Sequence, residues 1–122
     1  MPQAKRRTRT VKLMLPPEVW TWVLTQDVPL DVAVGAAVER AWRHAGLALN
    51  ARQARARRSL DRLIRRRAAM GGPTHLALDA RIERRAEALV ARLIDLYCHH
   101  GQVPAEAERS ARTEVQRILS GD

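Results

Sequence analysis

The chain has 122 residues, 46% of them apolar, and a formal net charge of +9 from 22 Lys and Arg against 13 Asp and Glu. That length fits one domain, or one small domain with an extension, and that apolar share is enough for a core. The single cysteine, Cys98, excludes an intrachain disulfide and suits a reducing compartment. No apolar run reaches the ~18 residues of a membrane span, and the basic start (MPQAKRRTRT) leads into no signal-peptide core, so a cytoplasmic protein without membrane contact is expected.

Residues 1–8 read as a disordered basic arm. Residues 9–15 then alternate: Val11, Leu13 and Leu15 fall on one side, Thr10, Lys12 and Met14 on the other, as in a strand with one apolar face. Pro16-Pro17 ends it, and Glu18 suits the first turn of a helix. So short a strand needs a partner for its N–H and C=O groups. The rest of the chain reads as helix, so the expected partner is the same strand of a second copy, in a homodimer. An ordinary edge strand is the plainer reading.

Helix 1 is expected from Pro17 to about Gln26, presenting Val19, Trp20, Val23 and Leu24. Asp27-Val28-Pro29 breaks it. Helix 2 starts near Leu30, with Asp31 as its N-cap. It carries Val34, Ala37, Val38, Ala41 and Trp42, and ends after His44 at Gly46. Helix 3 runs from about Asn50 to Met70 with Ala56, Leu60, Leu63 and Ile64 as its apolar stripe. Arg55, Arg58, Arg62, Arg65 and Arg66 project opposite that stripe, within ~100° of one another.

Gly71-Gly72-Pro73 is the clearest break. Thr74 can cap helix 4, which runs to His100. There Ile82, Ala86, Leu89, Leu93 and Leu96 follow a 4-3-4-3 spacing, widened by Leu78, Val90, Ile94 and Tyr97. Pro104 opens helix 5, with Ala107, Ala111, Val115, Ile118 and Leu119 inside. The organisation is thus an arm (1–8), a strand-helix-helix module (9–46), an Arg-rich helix (47–73) and a helical module (74–122).

Charge is uneven along the chain. Up to Pro73 there are 15 Lys/Arg against 5 acids; beyond it, 7 Arg stand against 8 acids. A basic first part and a near-neutral second part suggest polyanion contact in one and packing or a protein partner in the other. Twenty of the 22 basic residues are arginine, which suits bidentate phosphate contacts; a GC-rich genome also inflates arginine. A solvated face is the plain reading of the helix 3 arginines. Yet Asp61 is the only acid between Arg52 and Arg67, and unrelieved like charges at i,i+3 and i,i+4 destabilise a helix.

Other features point to no chemistry. Cys98-His99-His100 are neighbours on a helix, aim in different directions and cannot easily share a metal; histidine there favours the helix dipole. Trp20 and Trp42 belong to apolar stripes, while Trp22 lies off its stripe and suits a surface role, such as stacking on nucleic-acid bases. There is no Gly-rich phosphate loop, no Ser/His/Asp spacing and no carboxylate pair among the basic helices. The lone Tyr97 sits on a packed face. No enzyme, cofactor or metal is expected.

The order strand, proline, helix, break and apolar helix resembles the ribbon-helix-helix (MetJ/Arc) family of DNA-binding proteins. Leu15-Pro16-Pro17-Glu18-Val19 matches its strand-to-helix junction, and Val34-Gly35-Ala36-Ala37-Val38 its second helix. The likeness spans about residues 9–46. It implies a mainly α fold: an N-terminal ribbon-helix-helix-like strand and two helices, followed by a three-helix C-terminal extension. It also implies an antiparallel ribbon in the major groove of duplex DNA, with Thr10, Lys12 and Met14 at base edges. Helix 1 and its turn are about one helical turn shorter than the family pattern. Asp27 and Asp31 also stand where a phosphate would sit, so the phosphate clamp would move to Arg6, Arg7 and Arg9.

The roles implied are a transcriptional regulator, an antitoxin, or an accessory protein of plasmid transfer or partition. A helical module at 74–122 favours the accessory role, with a protein partner there. The alternative is a structural subunit of a ribonucleoprotein particle, as in the small subunits of CRISPR effector complexes, binding RNA or DNA through the helix 3 arginines. A third is an adaptor whose Arg helix docks an acidic protein.

Overall fold

The structure, a computed structural model, describes residues 10, 12–72 and 75–121. Among the described residues there are four α-helices: α1 (Pro17–Leu24), α2 (Leu30–Met70), α3 (Leu76–His99) and α4 (Pro104–Ser120). The chain divides into two compact units, Met1–Val38 and Glu39–Asp122.

There is no strand among the described residues, which corrects the ribbon-helix-helix expectation and the mixed architecture it implied. Thr10 and Lys12–Pro16 belong to no helix or strand. Exposure still alternates: Lys12 and Met14 are exposed, Leu13 and Leu15 half-buried. Alternation sets which side chains are sheltered, but a sheet also needs a second backbone to take its N–H and C=O groups, and none of the described residues provides one.

In the first unit, Pro16 and Pro17 open α1 as their missing donors allow. The Pro16 carbonyl accepts from the N–H of Val19 and of Trp20 at 3.0 and 3.1 Å. Thr25 closes it, its hydroxyl donating to the Trp22 carbonyl at 2.6 Å. No α1 residue is buried; Val19, Trp20 and Val23 are half-buried. Asp31 is not a cap but lies inside the first turn of α2.

The expected break at Gly46 is absent: the two helices foreseen there are one, 41 residues long. Gly46 is not followed by proline and does not adopt a positive φ. A glycine in helical conformation costs only about 1 kcal/mol against alanine, and the alanines and leucines around it outweigh that.

The second unit is built from α2 beyond Val38 together with α3 and α4. Leu60 of α2, Ala86, Leu89, Val90 and Leu93 of α3, and Ala111 and Val115 of α4 form one buried cluster. Ala56, Ile64, Ile82, Ile94, Tyr97 and Ile118 pack against it. Leu60 and Leu89 are fully enclosed, so truncation of either costs a few kcal/mol. Alanines at 107 and 111 keep the inner face of α4 thin and let the helices approach closely.

Two contacts far apart on α2 and α3 show that these helices run antiparallel. Near the hairpin, Arg67 Nε donates to Asp79 at 2.9 Å, and its two Nη groups donate to the carbonyls of Gly71 and Gly72. His75 Nε2 also donates to Gly71 O at 2.6 Å. Gly71 and Gly72 both have positive φ, 60° and 80°, a region glycine enters without strain. At the other end Trp42 meets His99. α3 begins with His75 at its N-cap position, without a side-chain cap bond; the expected cap, Thr74, lies outside the described residues.

Candidate nucleic-acid interface

The arginines of the second unit sort by face. Arg57 bonds Glu114 at 2.6 Å and so ties α2 to α4. Arg112 bonds Glu87 at 3.0 Å, tying α4 to α3, and Glu108 at 3.1 Å. These hydrogen bonds, the one to Glu87 first, raise the Arg112 pKa above its ordinary value. Arg117 bonds Glu114, Arg43 bonds Glu39 and Arg67 bonds Asp79. Asp79 is thus committed to Arg67 at the hairpin, and Glu87, Glu108 and Glu114 to contacts on the α4 side of the bundle.

The opposite side is not neutralised. Arg55, Arg58, Arg62, Arg65 and Arg66 of α2 are all exposed, as the sequence led us to expect. None makes an ion pair or side-chain hydrogen bond with a described residue. Because Leu60, Leu63 and Ile64 face the core, the 3.6-residue repeat turns Arg62 and Arg66 outward along one edge.

That edge borders α3, where a second set of arginines meets it. A groove of about 370 Å³ is lined by Ser59, Arg62, Leu63 and Arg66 of α2 and by Arg81 and Arg85 of α3. A smaller hollow of about 230 Å³, lined by Arg81, Arg84, Arg85 and Ala88, continues it. Arg81, Arg84 and Arg85 are exposed and, like the α2 set, bonded to no described side chain. Glu83 stands about 200° from Arg81 on the helical wheel, on the far side of α3.

Sequence reading missed the α3 arginines. Their i,i+3,i+4 spacing was legible, but the summed charge of residues 74–122 hid it by averaging acids and bases that point to different sides. Two unit charges ~7 Å apart in water repel by about 0.6 kcal/mol, so a groove with four guanidinium groups and no carboxylate has a standing repulsion that an anion relieves. Guanidinium forks suit phosphate oxygens in pairs.

The other foreseen residues lie elsewhere. Arg6, Arg7 and Arg9 are outside the described residues. Thr10, Lys12 and Met14 are exposed, Met14 by 83%, but form no ribbon. Trp22 is exposed as expected, whereas Trp42 is 48% exposed rather than enclosed. Its ring stacks on His99 at 4.8 Å between centroids, and its indole N–H donates to the His99 carbonyl at 3.2 Å. His100 meets both rings edge-on. Cys98 is a half-buried free thiol, and no metal-ligating cluster occurs among the described residues. No described helix is long and apolar enough to cross a membrane.

Compared with family models, with curated proteins and with solved structures, the chain finds no match.

Proposed function

We propose that this chain is a nucleic-acid-binding protein that holds the phosphate backbone on the arginine side of its α2–α3 hairpin, as a structural or accessory subunit of a nucleoprotein complex. One observation carries the reading: Arg62, Arg66, Arg81 and Arg85, from two helices, line one groove in which no described carboxylate takes part. Arg55, Arg58 and Arg65 extend the same basic surface along α2. Phosphate contacts of this kind give affinity and position rather than sequence.

The role does not include base readout by Thr10, Lys12 and Met14, which required a ribbon. Homodimerisation through that strand loses its basis with it. A chain that tracks backbone without reading bases suits a particle subunit better than an operator-specific regulator.

The direct experiment is equilibrium binding of the full chain to random-sequence DNA and RNA oligonucleotides over a salt series. Affinity should fall steeply and log-linearly with salt, because bound counterions are released as arginines replace them. Salt-insensitive binding would remove the phosphate backbone as the contact, and no binding would remove nucleic acid as the ligand and favour an acidic protein partner.

A further inference from the structure

Building on the phosphate-binding reading above, we infer that the α2–α3 groove takes a single phosphodiester strand, held by its phosphates between Arg62 and Arg66 on one wall and Arg81 and Arg85 on the other, with the bases turned outward.

Both walls direct positive charge onto one line, the seam between two packed helices. A duplex presents two lines of phosphate, separated by a groove ~6 or ~12 Å wide. Only one of them can enter a seam of this size, so the second strand adds bulk and no contact inside it. A single strand is free to follow the seam.

Spacing supports the same occupant. Arg62 and Arg66 are four residues apart, as are Arg81 and Arg85, which is about 6 Å along each helix axis. That step is of the order of one nucleotide of extended backbone. Arg55 continues the α2 wall seven residues before Arg62, and Arg92 continues the α3 wall seven residues beyond Arg85, each on the same edge of its helix.

The lining also says which part of the strand is held. No aromatic ring lines the groove, so bases have no stacking platform there. Among the described residues no Asn, Gln, Asp or Glu lines it either, so base edges have only arginine and Ser59 as readers. Ser59 adds a hydroxyl that can donate to a phosphate oxygen, and Leu63 forms an apolar floor against the sugar side.

The test is fluorescence anisotropy with the full chain and three labelled probes: an oligothymidylate strand, the same strand annealed to its complement, and inorganic polyphosphate. The strand should bind at least as tightly as the duplex. Its log K against log salt should have a slope of about −2 to −3, as expected for three or four phosphates at ~0.7 each. Arg62→Ala with Arg81→Ala should weaken strand binding at least tenfold, and more than Arg58→Ala with Arg65→Ala does. Thermal melting of each variant checks that it folds. A duplex or polyphosphate bound tenfold tighter than the strand would overturn the inference while leaving a phosphate-binding protein. A groove pair no worse than the Arg58/Arg65 pair would move the site to the outer face of α2. Failure of every probe would overturn both this inference and the function it rests on.

Discussion

Trp42 and His99 lie 57 residues apart in the chain, yet their rings stack with planes 12° from parallel, and the Trp42 indole donates to the backbone carbonyl of the very residue it stacks on. The pair joins the first third of α2 to the last turn of α3, so it fixes the helix pair at the end remote from the hairpin. Trp42→Ala removes the stack, the bond and much apolar area; we expect a loss of about 1–3 kcal/mol. Trp42→Phe keeps a ring to stack and loses the indole bond with part of the apolar area, at a cost of about 1 kcal/mol. Urea unfolding midpoints separate the two.

Gly46 makes room for that stack. A Cβ built on it would lie 2.9 Å from Nε2 and 3.2 Å from Cδ2 of His99. Glycine to alanine within a helix is ordinarily worth about 1 kcal/mol in favour of alanine. Here Gly46→Ala should yield none of that gain, because His99 must shift. In a His99→Ala background the ordinary gain should return. A double-mutant cycle by denaturant unfolding reads the coupling; equal effects in both backgrounds would show that His99 yields freely.

Arg67 is the counterpart at the hairpin. It bonds Asp79 and the carbonyls of Gly71 and Gly72, the two residues that follow α2. Arg67→Lys keeps the charge but not the planar fork, so it should lose about 1–2 kcal/mol, most of the effect of Arg67→Ala. Thermal unfolding of the two variants, compared with wild type, checks this.

Ala111 is fully buried on α4 within the shared core. Ala111→Leu should overpack that seam and cost about 1–3 kcal/mol. Leu89→Ala should leave a cavity and cost about 2–5 kcal/mol. Calorimetric melting temperatures should fall for both, by more for the second.

The sequence was most informative where periodicity was long. The 4-3 spacing of α3 and the Ala107, Ala111, Val115 series of α4 mark the faces that are buried, as do Leu60 and Leu63 on α2. It misled where a local sign was taken alone. Gly46 resembles a helix end, but the apolar phase runs on through it: Val38, Trp42 and Leu49 lead into Ala56, Leu60 and Leu63 without a slip. The alternation at residues 10–15 is real, but an alternating pattern becomes a strand only beside another strand.

Half of the candidate site was legible. The Arg55–Arg66 face follows from the helical repeat and the position of the apolar stripe. Its other half, Arg81 and Arg85, depends on the register of α3 against α2, and that register is set by contacts between residues far apart in sequence.

Under the proposed function, position and not bulk charge makes the arginine groove a ligand site. The most direct measurement compares two variants of equal net charge for binding to one oligonucleotide at fixed salt. One lacks groove arginines, Arg66→Ala with Arg85→Ala; the other lacks arginines already held by glutamates, Arg43→Ala with Arg117→Ala. We predict a loss of roughly tenfold or more for the groove variant, with a shallower salt slope, and little change for the other. Equal losses would mean that the protein attracts polyanions by net charge alone, and the groove would then have no special part in its function.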